Sequence, residues 1–121
     1  MVNFRPVPKP KDTKRKKKLV NGYKEKPKRR CYYTGMPGAE RHEVYGGPNR
    51  QISIKYGFQV DLCQEIHRRF HNPETEEDFN RIEYWQKRCQ REFEEKLVYK
   101  LGMRPKEARQ TFVGLIGKNY L

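Results

Sequence analysis

The sequence predicts an α+β chain: a basic tail, a small strand–strand–helix finger, a long helix and a short terminal helix. Three observations predict it. Two short stretches with strand patterning lie on either side of a Gly-Gly-Pro turn and lead into a helical pattern. An apolar stripe at three- and four-residue steps then runs from Phe79 to Leu101, as on one face of a helix. The charge is also lopsided. Of the net +13, residues 1–30 carry +11, with 13 Lys/Arg against Asp12 and Glu25, and residues 31–121 carry only +2.

Residues 1–30 contain Pro6, Pro8, Pro10 and Pro27 and few large apolar side chains. Such a segment buries too little surface to offset its ordering entropy, so a disordered basic arm is expected. Its run Lys14-Arg15-Lys16-Lys17-Lys18 suits a polyanion, and DNA bound in a strongly salt-dependent way is the expected partner. The finger, residues 31–72, opens at Cys31-Tyr32-Tyr33, and Thr34-Gly35-Met36-Pro37-Gly38 has turn chemistry. A strand is predicted from Glu40 to Tyr45, closed by Gly46-Gly47-Pro48. A loop through Ser53 and Lys55 follows, then a second strand over Phe58–Leu62. The pattern from Gln64 to Phe70 predicts a helix carrying His67 and His71, with Asn72-Pro73 ending it.

Residues 73–121 read as a helical extension packed on the finger. Thr75 can cap the long helix while Asp78 closes a capping-box pattern. The stripe Phe79, Ile82, Trp85, Cys89, Phe93, Leu97 and Leu101 drifts off a heptad, which predicts core packing rather than a coiled-coil seam. Gly102 predicts a C-cap. Pro105 predicts the first turn of a last helix carrying Ala108, Phe112, Leu115 and Ile116 before Gly117.

With 34% hydrophobic and 36% charged residues, the chain has room for one small domain with a modest core. No apolar run has the length of a membrane span, and the basic start lacks a signal peptide's apolar segment. The expectation is a soluble cytoplasmic protein with no membrane partner. Cys31, Cys63 and Cys89 are odd in number and far apart, which predicts a reducing compartment rather than a disulfide framework.

All three histidines fall in the finger. His67 and His71, four apart on a helix, point from one face toward one ion. His42, arriving from a strand, completes a three-ligand set with a position left open, as catalytic rather than structural sites have.

The segments Glu40-Arg41-His42-Glu43-Val44-Tyr45-Gly46-Gly47, Asn49-Arg50, Ser53, Lys55-Tyr56-Gly57 and Leu62-Cys63-x3-His67 together resemble the HNH (His-Asn-His) endonucleases common in phages and prophages. Phe112 to Leu121 is similar to the tail of such phage proteins, and the resemblance covers roughly residues 31–121. It implies a ββα-metal finger in which His42, His67 and His71 bind one divalent ion, with His42 and Glu43 as the catalytic pair. Glu43 stands where the family usually has a histidine base. It reads as the base, as a fourth ligand or as an inert residue, with metal-bound water serving where no carboxylate base acts, and ligation would favour a harder ion. Mg²⁺ or Mn²⁺ is therefore expected ahead of Zn²⁺ or Ni²⁺. The family's middle asparagine has no counterpart near Phe58, Asn49 being the nearest candidate.

Many such fingers carry a structural zinc on two C-x2-C pairs. Here Cys31 leads to Thr34 and Cys63 to Ile66, so no structural zinc is expected, and Cys31 and Cys63 should pack near each other as small apolar residues. Arg41, Arg50, Lys55, Arg68 and Arg69 read equally as phosphate clamps or as a solvated face. Tyr45 and Tyr56 read as packing residues. The resemblance implies a metal-dependent DNA endonuclease of low sequence specificity, in recombination, repair or processing, with a recombinase or similar protein as a candidate partner. The rival readings are a non-catalytic DNA-binding or recombination accessory protein on the same scaffold, and a small protein directed at a nucleic-acid enzyme.

Overall fold

The structure, a computed structural model, describes residues 23–121. Most of the predicted arm, including Lys14 to Lys18, lies outside the described residues. The structured body reaches back before Cys31, the first residue expected in it. Tyr23–Lys28 form a 3₁₀ helix, Arg29 is buried, and Arg30 bridges to Pro37. The Ala39 N–H donates to the Arg29 carbonyl, so this strip of backbone is paired rather than solvated.

The fold is α+β. Strands β1 (Glu40–Glu43) and β2 (Gln59–Leu62) form a two-stranded antiparallel sheet in the register Glu40↔Leu62, Arg41↔Asp61, His42↔Val60, Glu43↔Gln59. Val44, Tyr45 and Phe58, expected in the strands, fall outside the ladder, although the Val44 N–H still donates to the Phe58 carbonyl at 2.8 Å.

The segment expected as a loop between the strands is instead ordered. Gly47–Asn49 make a 3₁₀ turn and helix α1 spans Arg50–Tyr56, ending at Gly57 in the left-handed region with φ 76°. Propensity alone argues weakly for a seven-residue helix holding two isoleucines and a serine. A tertiary anchor decides it. The fully buried Ser53 hydroxyl donates to the Tyr45 carbonyl at 2.7 Å and accepts from the Tyr45 N–H at 3.1 Å, satisfying both backbone groups where β1 ends.

Helix α2 (Gln64–His71) is anchored by buried Ile66 and Phe70. Helix α3 (Glu76–Leu101) starts with both halves of the predicted capping box, Thr75 accepting from the Asp78 N–H and Asp78 from the Thr75 N–H. Gly102 caps its end at φ 70°, and helix α4 (Pro105–Ile116) begins on the predicted proline and ends at Gly117. The short link folds α4 back along α3. Arg109 pairs with Glu94 at 2.7 Å, and the buried Gln90 amide donates to Asn119 and accepts from the Tyr120 N–H.

Only the middle of the predicted stripe is covered. Trp85 and Cys89 are buried and Ile82 and Phe93 partly so, while Phe79 and Leu101 stay exposed. A helix of 26 residues is about 39 Å long. The core is aromatic. The Tyr45 ring centroid lies 5.3 Å from Phe58, 5.6 Å from Phe112 and 5.2 Å from Tyr120, and Tyr56 stacks on Phe58 at 5.8 Å. Tyr45 is thus a core residue, while Tyr56 packs on Phe58 and Phe93 with its ring partly exposed. Cys31 belongs to this core and Cys63 packs against it, both as free thiols. Among the described residues, no helix is long and apolar enough to cross a membrane.

A candidate metal centre

Strand periodicity places Glu40 and His42 on one face of β1. Helix periodicity places His67 and His71 one turn apart on α2, beside its buried Ile66–Phe70 face. The sheet and α2 bring the three rings together. Their centroids are 5.2 Å apart for His42–His67, 5.1 Å for His42–His71 and 4.8 Å for His67–His71. One ligand atom from each lies within 4.8 Å of the others, close enough for all three to bind one metal ion.

The fit shows in detail. His67 Nε2 and His71 Nε2 are 3.1 Å apart. Two nitrogens on a tetrahedral ion with ordinary bond lengths would sit roughly 3.3 Å apart. His42 is buried, and its Nδ1 finds no hydrogen-bond partner among the described residues, a deficit that a ligand would relieve. His67 Nδ1 lies 2.8 Å from Glu40 Oε1. An N–H donated there leaves the Nε2 lone pair turned toward the other histidines, the arrangement by which carboxylates orient metal-binding imidazoles.

The electrostatics agree. Burial, with His67 and His71 adding to it, pulls His42 down to about 3. Burial and His67 also lower His71, against an opposing effect of Glu43. Both rings are therefore held in the neutral form that metals require. The hydrogen bond from His67, then Lys26 at 3.3 Å, holds Glu40 below the usual carboxylate range.

Glu43 follows His42 in β1 and its charge acts to raise the His71 pKa, while one of its oxygens faces Arg50 Nε at 3.3 Å. The other predicted phosphate contacts are engaged elsewhere. Arg41 pairs across the sheet with Asp61 at 3.2 Å. Arg68 pairs with Glu65 and Glu74, and Arg69 with Glu65 and Asp78. The Lys55 ammonium sits 5.5 Å above the Tyr56 ring. Of these five, Arg50 pairs with a predicted catalytic residue, Glu43. Asn49 does not reach the histidines: its amide donates to the Ile116 carbonyl at 2.9 Å, tethering the finger to α4.

Two site residues escaped the sequence reading. Glu40 was legible in principle, two residues before His42 and so on its face of the strand. Lys26 carried no signal, because its place depends on how the segment before Cys31 folds back. Compared with models of known protein families, with curated proteins and with solved structures, the chain matches none.

Proposed function

We propose that this chain is a metal-dependent DNA endonuclease of the ββα-metal (HNH) type, of phage or prophage kind, hydrolysing phosphodiester bonds with low sequence specificity during recombination, repair or processing. The convergence of His42 from β1 with His67 and His71 from α2 carries the reading. Three imidazoles fill three positions of a tetrahedral site and leave one for water or a phosphate oxygen. When bound, a divalent ion polarises the phosphate and stabilises charge at the leaving oxygen. An all-imidazole set suits Zn²⁺ or Ni²⁺ better than Mg²⁺, which would need Glu43 as an oxygen ligand.

The residues divide the remaining work. Glu40 fixes the His67 ring, and Glu43 takes the proton of the attacking water. Arg50 holds that carboxylate beside His71, and its guanidinium fork matches an incoming phosphate. Lys14 to Lys18 supply non-specific DNA affinity from the arm, and the host cytoplasm is the proposed setting.

A second reading, a DNA-binding or recombination accessory protein that does not cut, draws on the Glu43–Arg50 pair and on the turning of Asn49 toward α4. The deciding experiment is nicking of supercoiled plasmid with EDTA, Mg²⁺, Mn²⁺, Ni²⁺ or Zn²⁺, beside His67→Ala and Glu43→Ala. The nuclease reading expects metal-dependent nicking, lost in both variants, with DNA binding retained. No nicking with any ion, alongside intact salt-sensitive binding, would replace it with the second reading.

A further inference from the structure

A groove of about 580 Å³ lies where α3 begins, walled by Tyr32, Tyr33 and Tyr84 on its aromatic side and by Glu76, Glu77 and Asn80 on its polar side. It is an odd surface for a chain of net charge +13. The Tyr32 and Tyr84 rings are about half exposed, at 54% and 49%. Among the described residues the one cation in the groove wall, Arg81, is already paired with Glu77 at 3.1 Å and lies 4.1 Å above the Tyr33 ring. Among the described residues Glu76 has no ion pair. The groove is therefore aromatic and acidic, with two carboxylates against one guanidinium.

We propose that this groove docks the proline-rich start of the chain's own arm, Phe4-Arg5-Pro6-Val7-Pro8-Lys9-Pro10-Lys11. Alternate prolines bias a segment to polyproline II, and aromatic-lined grooves recognise that conformation at low entropic cost. Arg5, Lys9 and Lys11 supply the charge that Glu76 and Glu77 attract. The stacked Arg81 shows that a tyrosine face of the groove accommodates a guanidinium. The same carboxylates repel phosphate, which disfavours a nucleic-acid strand as the occupant.

Residues 12–22 link this segment to the described body and can extend to roughly 36 Å. Tethering raises the local concentration of the arm to the millimolar range, so an intrinsically weak motif suffices. Lys14 to Lys18 lie in the sequence between this segment and the described body.

The test is nuclear magnetic resonance of the full chain against a full chain carrying Pro6→Ser, Pro8→Ser and Pro10→Ser. The backbone amides of Tyr32, Asn80, Arg81 and Tyr84 are expected to shift on substitution. A peptide of residues 4–11, added to the substituted chain, should return them toward wild-type positions with a Kd on the order of 1 mM. Glu76→Lys, a change at an exposed residue, should weaken that titration several-fold. Groove amides that ignore the proline substitutions would overturn the proposal. So would shifts that grow with protein concentration, which mark a second copy, or a groove that responds to a thymidine oligomer and not to the peptide.

Discussion

The Glu40 carboxylate, 2.8 Å from His67 Nδ1, selects which nitrogen of that ring faces His42 and His71. Removing such a partner from a metal-binding imidazole typically costs 10–100-fold in affinity. Glu40→Ala is therefore expected to weaken Zn²⁺ binding by about that factor in isothermal titration, and unchanged affinity would reduce Glu40 to a partner for Lys26. His42 sets the acid response of the metal-free protein. Its pKa falls from 6.5 in the unfolded chain to about 3 in the folded one, so the unfolded chain binds the extra proton. The stability it contributes is complete above the unfolded value and is lost as pH falls through the window from 6.5 toward 3, by about 1.4 kcal/mol per pH unit. Urea midpoints in EDTA should drop between pH 7 and pH 5, and the drop should flatten in His42→Gln; equal slopes would remove His42 as its source. The histidines were legible because strand and helix periods fix the directions of side chains two and four apart. The pairing of Arg68 and Arg69 with Glu65 follows helix spacing on α2, whereas their pairing with Glu74 and Asp78, and that of Arg41 with Asp61, depends on how the chain folds back.

At the scale of elements, the sequence states both boundaries of α3. Thr75 and Asp78 exchange capping hydrogen bonds with each other's N–H groups, Glu76 and Glu77 add charge suited to the N-terminal dipole, and Gly102 takes the left-handed cap. Thr75→Ala should lower unfolding free energy by about 1 kcal/mol in urea titrations, with the slope unchanged. A loss within error would mean that packing of Trp85 and Cys89 holds the first turn without its cap. Helix α1 is the contrary case. Its seven residues carry neither a side-chain cap nor a strong propensity, and Asn49, its N-cap, spends its amide on Ile116. What folds it is Ser53 closing on the Tyr45 backbone, a contact across eight residues that no local pattern announces. The finger's strands and its histidine helix, by contrast, were readable from alternation and from the Asn72-Pro73 stop.

For the molecule as a whole, a sheet of two four-residue strands is too small to hold a metal centre alone. The support comes from α3 and α4. Phe112, fully buried, contacts the rings of Tyr45, Phe58 and Phe93; the Tyr45 hydroxyl donates to the Gln86 carbonyl; and Asn49 ties the finger to the end of α4. Tyr45 follows β1 by two residues, so whatever loosens Phe112 loosens the strand that carries His42. Phe112→Ala should therefore cost about 3–5 kcal/mol, a large share of the 5–15 kcal/mol typical of a domain. Metal binding to the folded form alone returns part of that loss, about 2.7 kcal/mol at a hundredfold excess over Kd. Thermal unfolding of wild type, Phe112→Ala and His67→Ala, each with EDTA and with Zn²⁺, separates these contributions. Zn²⁺ should raise Tm in wild type and in Phe112→Ala, and leave His67→Ala nearly unmoved. Equal gains in His67→Ala would place the ion elsewhere. No gain in Phe112→Ala, with wild type responding, would mean that the histidines meet only when the aromatic core beneath β1 is complete.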